Sequence, residues 1–412
     1  MESNVEVKVF PASNGESILI KLYGEKNTNI LIDCGYISTY KTIKDELIEL
    51  KKIGQRIDLL VLTHIDNDHI NGARALLEDY IKDNICDISE IWFNDYFRIC
   101  EIIDINDEID EINNKLLKEL QRKKYPTEPN VCIENGVGYK TANILLDYLM
   151  HDKVKSKINY SNNNQAFYIE DKDDNKSFYI NNEVKITLIG PYKSILMEIL
   201  NEWNEYLITK GFSGEVKKTK ELARAFELFY INKVNNNNKI KPNEKRCSSI
   251  DDLAKLNEFN DYDEDIINRS SIAFILEFYD KKMLFLGDSS PIDYDEILEE
   301  IYKQNKENKI RFNLVKMSHH GSKFNISKRF FELSTSEKYL VSTNGSLHGH
   351  PNKEAIYKII RNQTEYKKII FNYKNENICK FIKNNKLDSK YNFDIQYEND
   401  KKIGRSVLSF NI

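Results

Sequence analysis

Residues 59–72 read LLVLTHIDNDHING. Leu59, Leu60, Val61 and Leu62 form a short continuous apolar run, the pattern of a strand covered on both faces, and Thr63 closes it. Four side chains able to ligate a metal follow within six residues: His64, Asp66, Asp68 and His69. A tight turn leaving a rigid strand can aim such a cluster at one point. Imidazole nitrogens and carboxylate oxygens suit zinc, manganese or iron, and two carboxylates lean towards the harder ions. After Asn71-Gly72 the pattern predicts a helix over 73–82, so the cluster sits at a βα corner, where α/β proteins place their sites.

Upstream, Val5, Val7 and Val9 alternate with polar residues, and 17–23 and 29–33 are apolar runs separated by a turn-like GEKN; all three read as strands. Residues 39–53 carry Ile43, Leu47, Leu50 and Ile53 on one helical stripe. Downstream, SEIWFN (89–94) reads as a strand. From 97 to 265 the character changes. Ile105, Ile109, Ile112, Leu116 and Leu120 mark an amphipathic helix, and further helices are predicted near 140–151, 193–208 and 219–234. A hairpin of 166–168 with 177–180, followed by a strand over 184–189, lies between them. The polar stretch 235–262 reads as a mobile loop. Core patterning returns with strands over 270–279 and 282–286, a helix over 292–306 and a strand over 311–317. A helix (326–333), a strand (338–342), a helix (352–361) and strands near 367–372 and 405–411 follow. The expected organisation is a core first half over 1–96, a core second half over 266–412, and between them a mostly helical insertion, 97–265, with some core strands at about 177–190.

Of the 412 residues 41% are hydrophobic and 30% charged, which places the chain among soluble globular proteins. A net charge of −5 gives no global basic signature for nucleic acid, although a local basic groove stays open. The six cysteines form no CxxC pair and no secretion signal precedes them, so free thiols in a reducing compartment are expected. No 18-residue apolar span occurs. A cytoplasmic protein with no membrane association is the expectation.

Ligand-type residues recur at the ends of four strands: HIDNDH, Gly287-Asp288, Ser318-His319-His320-Gly321-Ser322 and Gly349-His350-Pro351. All but one of the seven histidines, His151, lie in these loops. Strand ends that each present a ligand to one sheet edge build a polynuclear hydrolytic centre. Two ions bridged by a carboxylate hold hydroxide at neutral pH and clamp a phosphoryl or acyl oxygen.

In these motifs the chain resembles the metallo-β-lactamase superfamily, through residues 5–95 and 184–360. HIDNDH is similar to the superfamily's HxHxDH with Asp66 in place of the second His, ILIDCG to its early strand–Asp–Gly element, and FLGD to the strand carrying the bridging aspartate. The set HxDxDH, LGD, SHHGS and GHP is most similar to the hydrolase domain of the competence DNA-uptake protein and its stand-alone relatives.

The resemblance implies an α/β protein of αββα sandwich type, two mixed sheets face to face with helices outside, carrying a largely helical insertion. It implies two divalent metal ions, Zn2+ or Mn2+. His64 and Asp66 would bind the first, Asp68 and His69 the second, Asp288 would bridge them, and His320 would complete the second. The implied catalytic residues are Asp68, beside the nucleophilic water, and His319 and His350 at the mouth, contacting a phosphate oxygen or protonating a leaving group. Ser322 and Lys323 supply further phosphate contacts or belong to a solvated loop. The superfamily's further histidine on the first ion has no counterpart. His151 sits in a helical context and reads as a surface residue. Asn94 and Asp95 stand at about the expected place, either as an oxygen ligand or beside a vacant position. Asp33 reads as orienting the ligand loop by hydrogen bonds, His348 as a loop residue, and Cys34, Trp92 and Trp203 as packing.

The implied activity is hydrolysis by metal-bound hydroxide of a phosphodiester, in a nucleic acid or a nucleotide. A stand-alone chain with a large insertion also resembles the hydrolase components of bacterial anti-phage defence systems, which act beside protein partners; the insertion would meet such a partner. Two other readings fit the same residues. One is hydrolysis of a small ester, lactone or thioester at the same centre. The other is a scaffold or binding module with an inactive site.

Overall fold

The structure is a computed structural model and describes residues 4–103, 111–121, 144–172, 174, 176–213, 218–237, 250–397 and 407–412. Its strands are β1 (Asn4–Val9), β2 (Ile18–Tyr23), β3 (Thr28–Ile32), β4 (Ile57–Val61), β5 (Ile88–Trp92), β6 (Ser177–Asn181), β7 (Val184–Gly190) and β8 (Ala273–Phe278). Then follow β9 (Lys281–Phe285), β10 (Ile310–Phe312), β11 (Leu314–Lys316), β12 (Ser334–Ser336), β13 (Lys338–Val341), β14 (Lys367–Phe371), β15 (Phe393–Tyr397) and β16 (Leu408–Asn411). One sheet has six strands in the order β16-β1-β2-β3-β4-β5, the other eight in the order β15-β14-β13-β11-β9-β8-β7-β6, and β10 pairs with β12 alone.

Period-2 patterning sends alternate side chains to opposite faces of the first sheet. Val5, Val7, Val9, Ile18, Ile20, Ile30 and Ile32 enter the cluster that also holds Leu188, Phe274, Leu276 and Phe285 of the second sheet. Leu19, Leu31 and Leu60 enter a second cluster, with Ile43, Leu47 and Leu50 of the helix Ile37–Lys52 and Leu76 and Leu77 of the helix Asn67–Ile81. Trp92 of β5 spans the space between sheets, its ring 5.3 Å from Phe178 of β6 and 6.4 Å from Phe274 of β8. Each such side chain stabilises the fold by roughly 1.5–3 kcal/mol through burial. The result is the expected αββα sandwich, with Trp92 and Trp203 in its interior.

β3 and β4 are parallel neighbours, as are β9, β11, β13 and β14, so each group releases its following loops at one edge. Several elements differ from expectation. The helix after β4 starts at Asn67 and not at 73, because extended Asp66 caps it by accepting the Asn67 N–H, which puts Asp68 and His69 in the first turn. β6 pairs with β7; residues 166–168 contribute no strand to a hairpin. The strand over 311–317 breaks at Asn313, whose side chain accepts from Lys282 N (2.9 Å), giving β10 and β11. Within the stretch read as a mobile loop, Ile250–Asn257 is a helix with Leu253 and Leu256 buried, while 238–249 and Cys132 and Cys247 lie outside the described residues. So do 105–110 of one expected helix and 140–143 of another. The helix Glu376–Asn384 and β15 were not expected. Among the described residues no helix is long and apolar enough to cross a membrane.

Candidate metal centre

Asp33 follows β3 in a left-handed conformation (φ 54°) and organises the loop after β4. Its carboxylate accepts from Thr63 N (2.8 Å), Thr63 Oγ1 (2.8 Å) and His69 Nδ1 (2.8 Å). With Nδ1 engaged, His69 turns Nε2 into the interior, 3.4 Å from Asp288 Oδ2 and 4.0 Å from Asp68 Oδ1. The hydroxyl proton of Thr63 goes to Asp33, so Oγ1 accepts from His64 Nδ1 at 3.0 Å. His64 Nε2 therefore carries the lone pair, 3.9 Å from Asp288 Oδ2.

The third imidazole comes from the turn after β11. His319, His320 and Gly321 all have positive φ (45°, 56° and 82°), a strained path held by hydrogen bonds from His319 N to Gly287 O (3.0 Å) and from Asn352 N to Gly321 O (3.0 Å). His320 Nδ1 donates to Ser342 O (2.8 Å), and its Nε2 lies 3.6 Å from Asp68 Oδ2 and 3.8 Å from Asp288 Oδ2.

Nε2 of His64, His69 and His320 and Oδ1 of Asp288 are buried without a hydrogen-bond partner. Each buried polar atom left unpaired costs about 1–3 kcal/mol, and a cation among them removes that cost. Two triads have donor atoms within 4.8 Å of one another: His64, His69 and Asp288, and Asp68, His69 and His320. Imidazoles whose other nitrogen is fixed by a carboxylate, hydroxyl or carbonyl are the usual form of ligating histidine. The residues fit a divalent ion.

Of the residues singled out in the sequence, His64, Asp68, His69, Asp288 and His320 meet here. Asp66 lines the same cavity, yet its carboxylate is turned to the Asn67 N–H and it belongs to neither triad. His319 and His350 line the cavity, their rings 5.0 Å apart. His348, in the same loop as His350, lines it too. Asn94 and Asp95 do not reach it. Asn94 is bonded through its amide to Phe167 N and O, and Asp95 caps a helix and pairs with Arg98 (2.9 Å). His151 is exposed and caps a short helix. Ser322 caps Phe324 N, and Lys323 pairs with Glu354 (3.6 Å) and lies over the Phe259 ring, so neither lines the cavity. Cys34 is buried packing.

Sequence reading missed the supporting residues. Asn14 donates to Asp68 Oδ2 (2.9 Å) and accepts from Tyr36 OH (3.2 Å). Asp263 Oδ2 accepts from His319 Nδ1 (3.2 Å) and from Asn325 Nδ2 (3.0 Å), and Asn325 also donates to Asp288 O (3.0 Å). Asp265 and Asn268 form part of the cavity wall. Nothing in the local sequence pattern sets these residues apart.

Burial dominates the electrostatics. It pushes His64 down to about 3 and His350 well below the ordinary histidine range, the latter aided by His319, so both are neutral. His319 shows the opposite balance: burial opposes its charge, but Asp288 and then Asp263 raise it to about 9. Burial works against the charge on Asp288 as well, and His319, His69 and His320 overcome it, holding that carboxyl well below its usual range. Asp66 is raised by burial and by Asp68. Burial opposes a charge on His69 too, but Asp288 and then Asp33 raise it well above the ordinary histidine range in the ion-free cavity.

Comparison with solved structures finds a long form RNase Z from yeast, at 10% identity and a TM-score of 0.29, covering 76% of this chain and 32% of that one. This chain spans about a third of that protein's length, and similarity at that level says nothing of substrate. No curated protein matches the chain. The model of the metallo-beta-lactamase superfamily matches residues 12–89, the segment that carries Asp33 and the HIDNDH loop, and over that segment the chain is similar to that superfamily.

Proposed function

We propose that the chain is a metal-dependent hydrolase of phosphodiesters, in nucleic acid or a nucleotide. The observation that carries this is the convergence of three imidazole Nε2 atoms and Asp288 on one buried point, with the His319 imidazole, engaged at Nδ1 by Asp263, beside them. His64, Asp68, His69, Asp288 and His320 would hold the divalent ions, with Asp66 at the wall. Such ions supply Lewis acidity towards a phosphoryl oxygen and a nucleophile at neutral pH. Asp68, kept ionised and steadied by Asn14, would orient the attacking water. His319, whose Nε2 is 3.7 Å from Asp288 Oδ2, holds a proton where a leaving oxygen would need one. His350, neutral, would accept or relay it.

The helices between 97 and 265 fit an insertion laid on the first sheet: Trp203 and Phe226 of Lys193–Thr209 and Lys220–Asn237 share a cluster with Leu76 and Leu77. A protein partner on that surface is part of the same reading.

A second reading, a small-ester hydrolase, draws on the wall itself. Among the described residues lining the cavity are Asp66, Asp68, Asp265 and Asp288 and no lysine or arginine, so an anionic substrate depends on the ions and on His319. Turnover of bis-nitrophenyl phosphate, a short oligonucleotide and nitrophenyl acetate, each with Mn2+ or Zn2+ added to chelator-treated chain, separates the two. Phosphodiester turnover supports the proposal. Ester turnover alone would replace it with the second reading.

A further inference from the structure

Beneath the ligand loops lies an ion pair that the chemistry above does not use. Lys316, the last residue of β11, has a fully buried side chain; that of Glu16, between β1 and β2, is 1% exposed, and their charged groups are in direct contact. Removing two charges from water carries a desolvation cost that their mutual attraction offsets only when further polar contacts are made. The surroundings of this pair lead to the ligand loops. Lys316 Nζ donates to Gly287 O (3.3 Å), the residue before Asp288. Glu16 N donates to Asp68 O (3.1 Å), and Glu16 Oε2 lies 3.9 Å from His320 Nδ1. The adjoining Gly15 approaches so closely that a Cβ there would stand 2.1 Å from Asp68 O. Gly15 O accepts from Ser342 Oγ (3.2 Å), and Ser342 O is the acceptor for His320 Nδ1 (2.8 Å).

One buried pair therefore ties together the three loops bearing Asp68, Asp288 and His320. We propose that Glu16 and Lys316 are a positioning pair that sets the mutual placement of these donors, and with it the affinity of the centre for divalent ions. Neither side chain lines the cavity. This rests on the metal-binding part of the proposed function and on nothing about the substrate.

The test is a titration of chelator-treated full-length chain with Co2+, read by its visible absorption, beside the melting midpoint of the same ion-free samples. The variants are Glu16→Gln, which keeps shape and removes charge, and the neutral pair Glu16→Gln/Lys316→Met. Both should bind Co2+ about 10- to 100-fold more weakly than wild type, the loss typical of removing support behind a ligand. The absorption bands should shift. The ion-free double variant should melt within a few degrees of wild type, since a neutral pair of similar volume removes both buried charges together and leaves neither unpaired. If Glu16→Gln, which leaves the Lys316 charge buried and unpaired, does not fold, the double variant alone decides. Wild-type Co2+ affinity in a folded variant would overturn the positioning role and leave the metal centre standing. No Co2+ uptake by wild type would remove the metal centre, and this inference with it.

Discussion

Asp33 and His69 are joined at 2.8 Å between Oδ2 and Nδ1, and this bond decides which nitrogen of His69 faces Asp288. Both side chains are fully buried. Asp33→Ala should weaken binding of Mn2+ or Zn2+ about 10- to 100-fold, as loss of a carboxylate behind a ligating histidine does. Calorimetric titration of chelator-treated chain measures it. Unchanged affinity would mean that the fold orients His69 without Asp33.

His319, which donates from Nδ1 to Asp263 (3.2 Å) and is raised to about 9 in the ion-free chain by Asp288 and Asp263, lines the cavity where a leaving oxygen would need a proton. His319→Gln should lower kcat about 10²- to 10⁴-fold on an oligonucleotide, whose leaving oxygen needs a proton. On bis-nitrophenyl phosphate, whose leaving group departs as the anion, the loss should be small. Asp263→Asn should fall between wild type and His319→Gln on the oligonucleotide. Equal losses on both substrates would make His319 a binding residue and not an acid.

Far from the centre, Glu227 gives a pH signature of the fold. It is buried on the helix Lys220–Asn237 and accepts from Leu145 N (2.7 Å) and Leu146 N (2.9 Å). Burial lifts its carboxyl from 4.5 to about 7. Between those values the folded chain keeps a proton that the unfolded chain has lost. The stability this provides is complete below pH 4.5 and disappears as pH rises through about 7. The span corresponds to on the order of 3 kcal/mol. Melting curves of wild type and Glu227→Gln should therefore change in favour of the variant between pH 5 and pH 8. A difference that does not move with pH would refute the buried, protonated state.

The residues that meet at the centre were legible because each lies in the loop, or the first helical turn, that directly follows a strand. An apolar run followed by His or Asp is a local pattern, and parallel neighbours bring such ends to one edge. What supports them was not legible. Glu16 and Lys316, or Asp263 and His319, are joined across the fold, and nothing in the residues around either partner marks the pairing. Asn94 and Asp95 show the converse. They stand at a strand end, as a ligand should, but Phe167 and Arg98 claim their side chains. Asp66 stands in the motif and lines the cavity, but opening the next helix turns its carboxylate onto Asn67. The helix at Asn67 was placed too late for the same reason, since capping by Asp66 outweighs the Asn71-Gly72 turn signal.

Hydrolysis of an oligonucleotide across added Mn2+, by wild type and by His64→Ala/Asp68→Ala, tests the central claim most directly. The account predicts turnover by wild type that depends on the ion, and a loss of several powers of ten in the double variant, because the ions and their ligands provide most of the charge stabilisation. Equal turnover by the two chains, or none by wild type with any divalent ion, would contradict it.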